Sequence, residues 1–414
     1  MSEMMRMAVE SLLVAWMAAS CAWLQDDSAN LGKPRADTEA GKGKSEQENG
    51  KDTAIYVTAL EFPSGYDWKR DTLKGEVDCR LVLLENGIRK LEIPARYDNQ
   101  VSSDPDMHRV IDGHLYADYA TDAETIISKD GKELFRYQGR EMISGFKVSG
   151  NDIYTLGRNR SKVGFSYRKN GKEIMSRAKG RIIGDYYNSA YPDGALYSDS
   201  GHLYFSYYAD DVSGDGVERH YFLIQDRVET PVDVDDGYCS IFDMRMVGGK
   251  LCKLLRNDAR PTCIDVLMGD AGYRIENLAG VVSNAYFIGD ADELMVAEIF
   301  SIGDYGFSMM SLWNRSERVG LFVGNASLYL SGLNVCSVEM SGGFALSYRL
   351  PKETVPFRDS CYFISSHCAT FKNGHFYMAV TPAGENGKPR LIIDKESRIL
   401  DVSNGFATSV SVFP

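Results

Sequence analysis

Hairpins built on one plan, Asn-Gly and Asp-Gly turns spaced between them, and a composition rich in strand-favouring aromatics predict an all-β fold. The arrangement expected is a ring of about eight four-stranded blades, a β-propeller, with seven blades as the alternative. The chain of 414 residues holds 24 Tyr, 18 Phe and 39 Gly against 12 Pro. Aromatics favour strands, and glycine supplies the positive φ that tight hairpin turns demand.

The repeating unit is an apolar-alternating strand, a glycine-containing turn and a second strand opening on an apolar-aromatic pair. Clear instances run from His108 to Tyr116, Phe146 to Tyr154, Leu196 to Tyr204, Met244 to Cys252 and Thr370 to Tyr377, with looser ones at Phe287 to Met295 and Val338 to Ala345. A second turn follows most of them, at Asp130-Gly131, Asn170-Gly171, Gly269-Asp270 and Asn314-Arg315, and Asn86-Gly87 stands near the start. Each unit is therefore four antiparallel strands, which in the fifth unit are expected near 242–246, 250–255, 262–267 and 272–278. The tyrosine that opens the second strand, or its substitute, falls at 56, 116, 154, 204, 252, 295, 345 and 377. Residues 54–414 thus divide into units of about 45 residues, the length of a blade.

Closure follows from what the two ends lack. The segment 54–61 has no innermost strand before it, while 406–413 is a strand without a partner. Pairing the two seals the ring and removes exposed edges, so 406–413 is expected to hydrogen-bond to 54–61.

Ahead of the ring, Met7 to Leu24 is an apolar run of signal-peptide length behind Arg6. Ala18-Ala19-Ser20-Cys21 resembles the lipobox of bacterial lipoproteins. That resemblance implies a signal peptide over 1–20, lipidation of Cys21 as the mature N-terminus, and an outer-membrane lipoprotein of the cell envelope. From Gln25 to Thr53 the chain carries no aromatic residue and Leu31 as its only large aliphatic, so 21–53 reads as a lipidated, disordered tether. Asp26 and Asp27 resemble the acidic export tag of some Gram-negative surface lipoproteins, which extends the expectation to display at the surface. After the tether no apolar run is long enough to span a bilayer, so contact with the membrane is expected through the lipid anchor alone.

Lys and Arg number 46 against 58 Asp and Glu, a net charge of −12, which disfavours nucleic acid as a partner. No phosphate loop, dinucleotide fingerprint, nucleophile elbow or His-Glu-x-x-His segment is present, and no cofactor is expected. Asp211-x-Ser213-x-Asp215-Gly216 has the spacing with which a calcium loop begins, but its twelfth position is Phe222, so no metal is assigned. His114, His202 and His375 share one slot of the repeat and are read as structural. Cys252 and Cys263 fall on neighbouring strands of one unit, where facing side chains would permit a disulfide.

The long connections all lie at the end of the ring opposite the tight turns, and loops on a rigid scaffold are where recognition sits. Tyr66, Trp68, Tyr186, Tyr187 and Tyr191 with Arg158 and Arg256 in those loops form the candidate binding set for a protein or glycan partner. The leading expectation is a binding or interaction module at the envelope rather than an enzyme. The rival is a carbohydrate-active hydrolase or lyase with carboxylates at the channel mouth, for which Glu298, Asp304, Asp210 and Asp258 lie near the loops between second and third strands. Its catalytic residues remain unassigned.

Overall fold

A computed structural model describes residues 53–413, except 71–75, 99–107, 121–122, 159–162, 185–194, 214–215, 235–239, 278–279, 290–293, 303–306, 332–333, 342–343 and 385–386. The expected signal peptide over 1–20, Cys21 and the expected tether up to residue 52 lie outside the described residues. Within them the regular structure is strand throughout, apart from one 3-10 turn at Ser366–Cys368.

The strands form eight antiparallel blades. Blades two to eight occupy 108–138, 142–177, 181–232, 240–276, 281–323, 325–362 and 369–399 in chain order. Blade one is built from both ends of the ring: Ala54–Glu61, Glu76–Glu85 and Ile88–Asp98 come from the start, and Gly405–Phe413 supplies the innermost strand. Val57 stands opposite Val410, and the pairing runs from Ala54 with Phe413 to Glu61 with Gly405. The eight-bladed ring and its closure are as the sequence predicts. Inside the seam Thr58 Oγ1 lies 2.7 Å from Thr408 Oγ1 and 2.6 Å from Ser409 Oγ, so the polar side chains buried there satisfy one another.

Burial is organised by the gaps between blades. Eight hydrophobic clusters each draw on two consecutive blades, from the pair one and two around Leu81 and Leu115 round to the pair eight and one around Leu391 and Val57. A blade alone could not bury both faces, so each is stabilised only by its neighbours.

The tight turns explain themselves chemically. Asn86-Gly87, Asp112-Gly113, Asp130-Gly131, Asn170-Gly171 and Asn373-Gly374 all hold positive φ at both residues, the geometry of a type I′ hairpin. The two turns of a blade also clasp each other. His114 Nδ1 is 2.7 Å from Asp130 Oδ2 while Leu115 N donates to Asp130 Oδ1, and His202 with Asp226 and His375 with Asp394 repeat the arrangement. Both kinds of tight turn therefore share one end of the ring.

In blade five the strands are Ser240–Val247, Lys250–Arg256, Cys263–Met268 and Ala271–Glu276, within two residues of expectation. Register separates its cysteines: Cys252 faces Met268 and Cys263 faces Glu276, and both are free thiols. The sequence frame slips in blade seven. There Tyr329 on the inner strand pairs with Cys336, which takes the slot assigned to residue 345, and Ala345 sits on the third strand. The Ser-Gly-Gly at 341–343 joins the second and third strands but resembles the turn between the first two. Pro356 lies in the outermost strand, Glu353–Tyr362, where a missing N–H is tolerated, and this strand continues through Cys361 and Tyr362 onto Pro382 and Thr381 of blade eight.

Candidate functional site

Among the described members of the aromatic and arginine set, the structure brings Tyr66 and Trp68 together. The Trp68 ring packs 4.9 Å from Phe406 and 5.0 Å from Tyr362, and Tyr66 packs 5.2 Å from Phe62, so both rings help to fill the closure seam. Their loop is fastened by Lys69, whose Nζ donates to the carbonyls of Pro382 at 3.1 Å and Gly384 at 2.6 Å. Arg158 is 3% exposed and donates to Met142 Sδ at 3.4 Å, in blade three. Arg256 is half-exposed in blade five, paired with Asp258 at 2.9 Å. Tyr186, Tyr187 and Tyr191 lie outside the described residues.

The acidic candidates do not gather either. Glu298 is fully buried, accepting at Oε2 from Asn277 Nδ2 at 3.0 Å and Trp313 Nε1 at 2.8 Å, and burial pushes its carboxyl up to about 7. Asp210 is held by Arg219 at 2.6 and 3.0 Å, and Asp258 by Arg256. Asp304 lies outside the described residues. The segment from Asp211 is the end of a long hairpin in which Ser213 stands opposite Gly216.

What the structure does place together lies on the axis. A cavity of about 320 Å³ is lined by the innermost strands of blades one, two, three, seven and eight, which can meet only across the central channel. Among the described residues its basic lining is Arg109, Lys147, Lys372 and His367. Arg109 and Lys147 occupy one register layer, opposite Tyr116 and Tyr154, and Arg245 holds the same position opposite Cys252 in blade five. Lys372 Nζ donates to Val412 O at 2.8 Å and lies over the Phe413 ring.

Arg109 Nη2 approaches His367 Nε2 at 3.4 Å. A guanidinium only donates, so His367 receives at Nε2 and carries its proton on Nδ1. Burial, reinforced by the charge of Arg109, holds His367 down to about 3, which keeps the ring neutral. His108, behind the wall, lies 3.2 Å from Thr408 Oγ1 and is held by burial at about 4. A second cavity of about 240 Å³ lies among blades four, five and six, where the Asp243 carboxylate accepts the backbone N–H groups of Met244 and Phe287 at 2.8 Å each.

The cationic positions were visible in the aligned hairpins as the second residue of His108-Arg109, Phe146-Lys147 and Met244-Arg245. They lie on the innermost strands, away from the long loops in which recognition is expected. The inner strands also share a bulge, at Ser144, Phe242, Ser283 and Thr408, which no turn signal announces.

No family model matches the chain, and no curated protein matches it. Among solved structures it is similar to the dihydro-heme d1 dehydrogenase NirN, at 10% identity and a TM-score of 0.49, over 86% of this chain and 79% of that one. A eukaryotic initiation factor aligns at 10% identity and a TM-score of 0.42, over 86% and 98%. The β-propeller domain of the trilobed protease from Pyrococcus furiosus aligns at 11% identity and a TM-score of 0.34, over 63% and 82%.

Proposed function

We propose that this chain is an exported, lipid-anchored β-propeller that serves as a binding module for a protein or glycan at the cell envelope. The observation that carries the binding half is the axial cavity: a rigid ring holds convergent hydrogen-bond donors around a formed space, while Glu298, Asp210 and Asp258, named for hydrolysis, are each engaged elsewhere. Among the described residues of that lining there is no pair of carboxyl groups of the kind glycoside hydrolysis uses. The anchoring half rests on the lipobox-like Ala18-Ala19-Ser20-Cys21 and the polar stretch behind it.

The test is a glycan array with a crosslinking pull-down, both using the intact lipidated protein from envelope fractions. Recovery of one ligand or partner that survives competition and depends on a folded ring supports the reading. Hydrolytic release of sugar, or the absence of any specific ligand, contradicts it.

A further inference from the structure

Two cavities of the ring lie toward its opposite ends. The axial cavity is lined by the closing residues of inner strands, such as Ile111 and Val148, which lead into tight turns. The second cavity, of about 240 Å³, is lined by the opening residues of inner strands, Ile241 and Phe242 in blade five and Ser283 and Asn284 in blade six. It therefore lies toward the long connections, the end at which a rigid scaffold displays its recognition loops. Resting on the binding reading above, and on its glycan half, we propose that this second cavity is a sugar site, taking one neutral pyranose ring of a glycan.

Three observations support this assignment. First, the polar groups left for a ligand are neutral. Among the described residues nothing engages the side-chain amide of Asn284 or the hydroxyl of Tyr208, both of which line the cavity and are partly exposed. Ser283 Oγ donates to Ile299 O at 3.0 Å and keeps its acceptor lone pairs. An amide offers a donor and an acceptor side by side, and a hydroxyl offers both at one atom, which is the pattern that neighbouring sugar hydroxyls complement. Second, among the described residues the lining contains no Lys, Arg or His to hold an anion, and its one carboxylate, Asp243, accepts the backbone N–H groups of Met244 and Phe287. Arg219, stacked over Tyr208 at 4.2 Å, is itself held by Asp210 at 2.6 and 3.0 Å. Third, the rest of the wall is apolar: Ile182, Ile183 and Ile241 with the rings of Phe242 and Tyr208. A pyranose packs its C–H faces on such a surface while its rim of hydroxyls meets the polar groups. The bulges at Phe242 and Ser283 fall in this wall on adjacent inner strands, and a bulge re-aims a side chain out of the regular ladder. A volume of about 240 Å³ is below the roughly 300–1,000 Å³ of sites for drug-sized ligands, so the cavity suits a single ring and the remainder of the glycan lies outside it.

The test uses the full chain in detergent. Saturation-transfer NMR and titration calorimetry are carried out with the methyl glycosides of glucose, galactose, mannose, xylose, fucose and N-acetylglucosamine, with methyl glucuronide and with tetramethylammonium. The expected result is saturable binding of at least one neutral glycoside, weakened about tenfold or more in Asn284→Ala and about threefold or more in Tyr208→Phe, which deletes one hydroxyl and keeps the ring. Both variants keep wild-type circular dichroism and Tm, which separates ligand contact from a structural role. Lys132→Ala, on the exposed outer strand of blade two, leaves the affinity within about twofold. Glucuronide or tetramethylammonium binding more tightly than every neutral glycoside, with the same dependence on Asn284, assigns a charged ligand and overturns the proposal. A neutral glycoside that binds folded Asn284→Ala and Tyr208→Phe as it binds the wild type overturns the site while leaving a glycan-binding module. If no neutral glycoside binds, the sugar site is overturned, and the wider binding reading then stands or falls by recovery of a protein partner in the pull-down.

Discussion

Asp243 on the inner strand of blade five accepts a hydrogen bond of 2.8 Å from the backbone N–H of Phe287 on the inner strand of blade six. The same carboxylate accepts Met244 N at 2.8 Å, so one buried side chain joins two blades beside the channel. Asp243→Ala leaves two buried N–H groups without that acceptor, and each such loss costs about 1–3 kcal/mol. A drop in unfolding free energy of about 2–5 kcal/mol is expected by urea denaturation, with Asp243→Asn losing less because one oxygen remains. Equal stability of Asp243→Ala and wild type contradicts the joining role.

Close packing between blades three and four predicts a second sensitive position. Gly145 lies on the inner strand of blade three, and a Cβ placed there would meet the backbone N of Leu196 at 2.7 Å as well as its Cβ. Backbone cannot rotate away as a side chain can, so Gly145→Ala should cost about 1–3 kcal/mol and lower Tm. Gly201→Ala, in an open turn with nothing nearby, suffers only from its positive φ and should cost less. The reverse order would show that the two blades pack more loosely than described.

Two buried groups give opposite pH slopes. His108 is depressed from 6.5 to about 4, so the unfolded chain binds its proton more readily between these values. Its contribution is intact above pH 6.5 and is lost as pH falls toward 4, on the order of 3 kcal/mol. Glu298 is raised from 4.5 to about 7, so its contribution is intact below pH 4.5 and is lost as pH rises through 7. Urea midpoints across pH 4 to 8 should show His108→Gln flattening the acid limb and Glu298→Gln raising stability at pH 8 relative to wild type. An unchanged alkaline limb in Glu298→Gln contradicts its protonation in the folded state.

The anchor is tested separately from the ring. In a Gram-negative host, Cys21→Ala should remain unprocessed and lose its lipid-modified N-terminal peptide by mass spectrometry. A variant that keeps an identical lipidated peptide, or a wild type that never carries one, contradicts lipidation at Cys21.

Much of the ring could be read from local chemistry. Asn86-Gly87 and Asp130-Gly131 announce their turns because both residues must take positive φ, and the alternation around them fixes the strands. In blade seven Ser341-Gly342-Gly343 resembles in sequence the connection between first and second strands, and the pairing of Tyr329 with Cys336 sets the frame. The site was less legible. Trp68 and Arg158 look like exposed recognition residues in a loop reading, yet one packs on Phe406 and the other is buried beside Met142. The channel cations were in plain view, but their convergence depends on ring closure, a long-range property that no single hairpin contains.

That closure is tested most directly by crosslinking. Thr58 and Ser409 are register partners whose hydroxyl oxygens lie 2.6 Å apart, although 351 positions separate them in the chain. In a Thr58→Cys, Ser409→Cys double variant, mild oxidation should link the two within one molecule, giving a faster-migrating monomer on a non-reducing gel and a crosslinked peptide pair by mass spectrometry. A folded double variant that forms no such link, or links only between molecules, would contradict a ring sealed by its last strand.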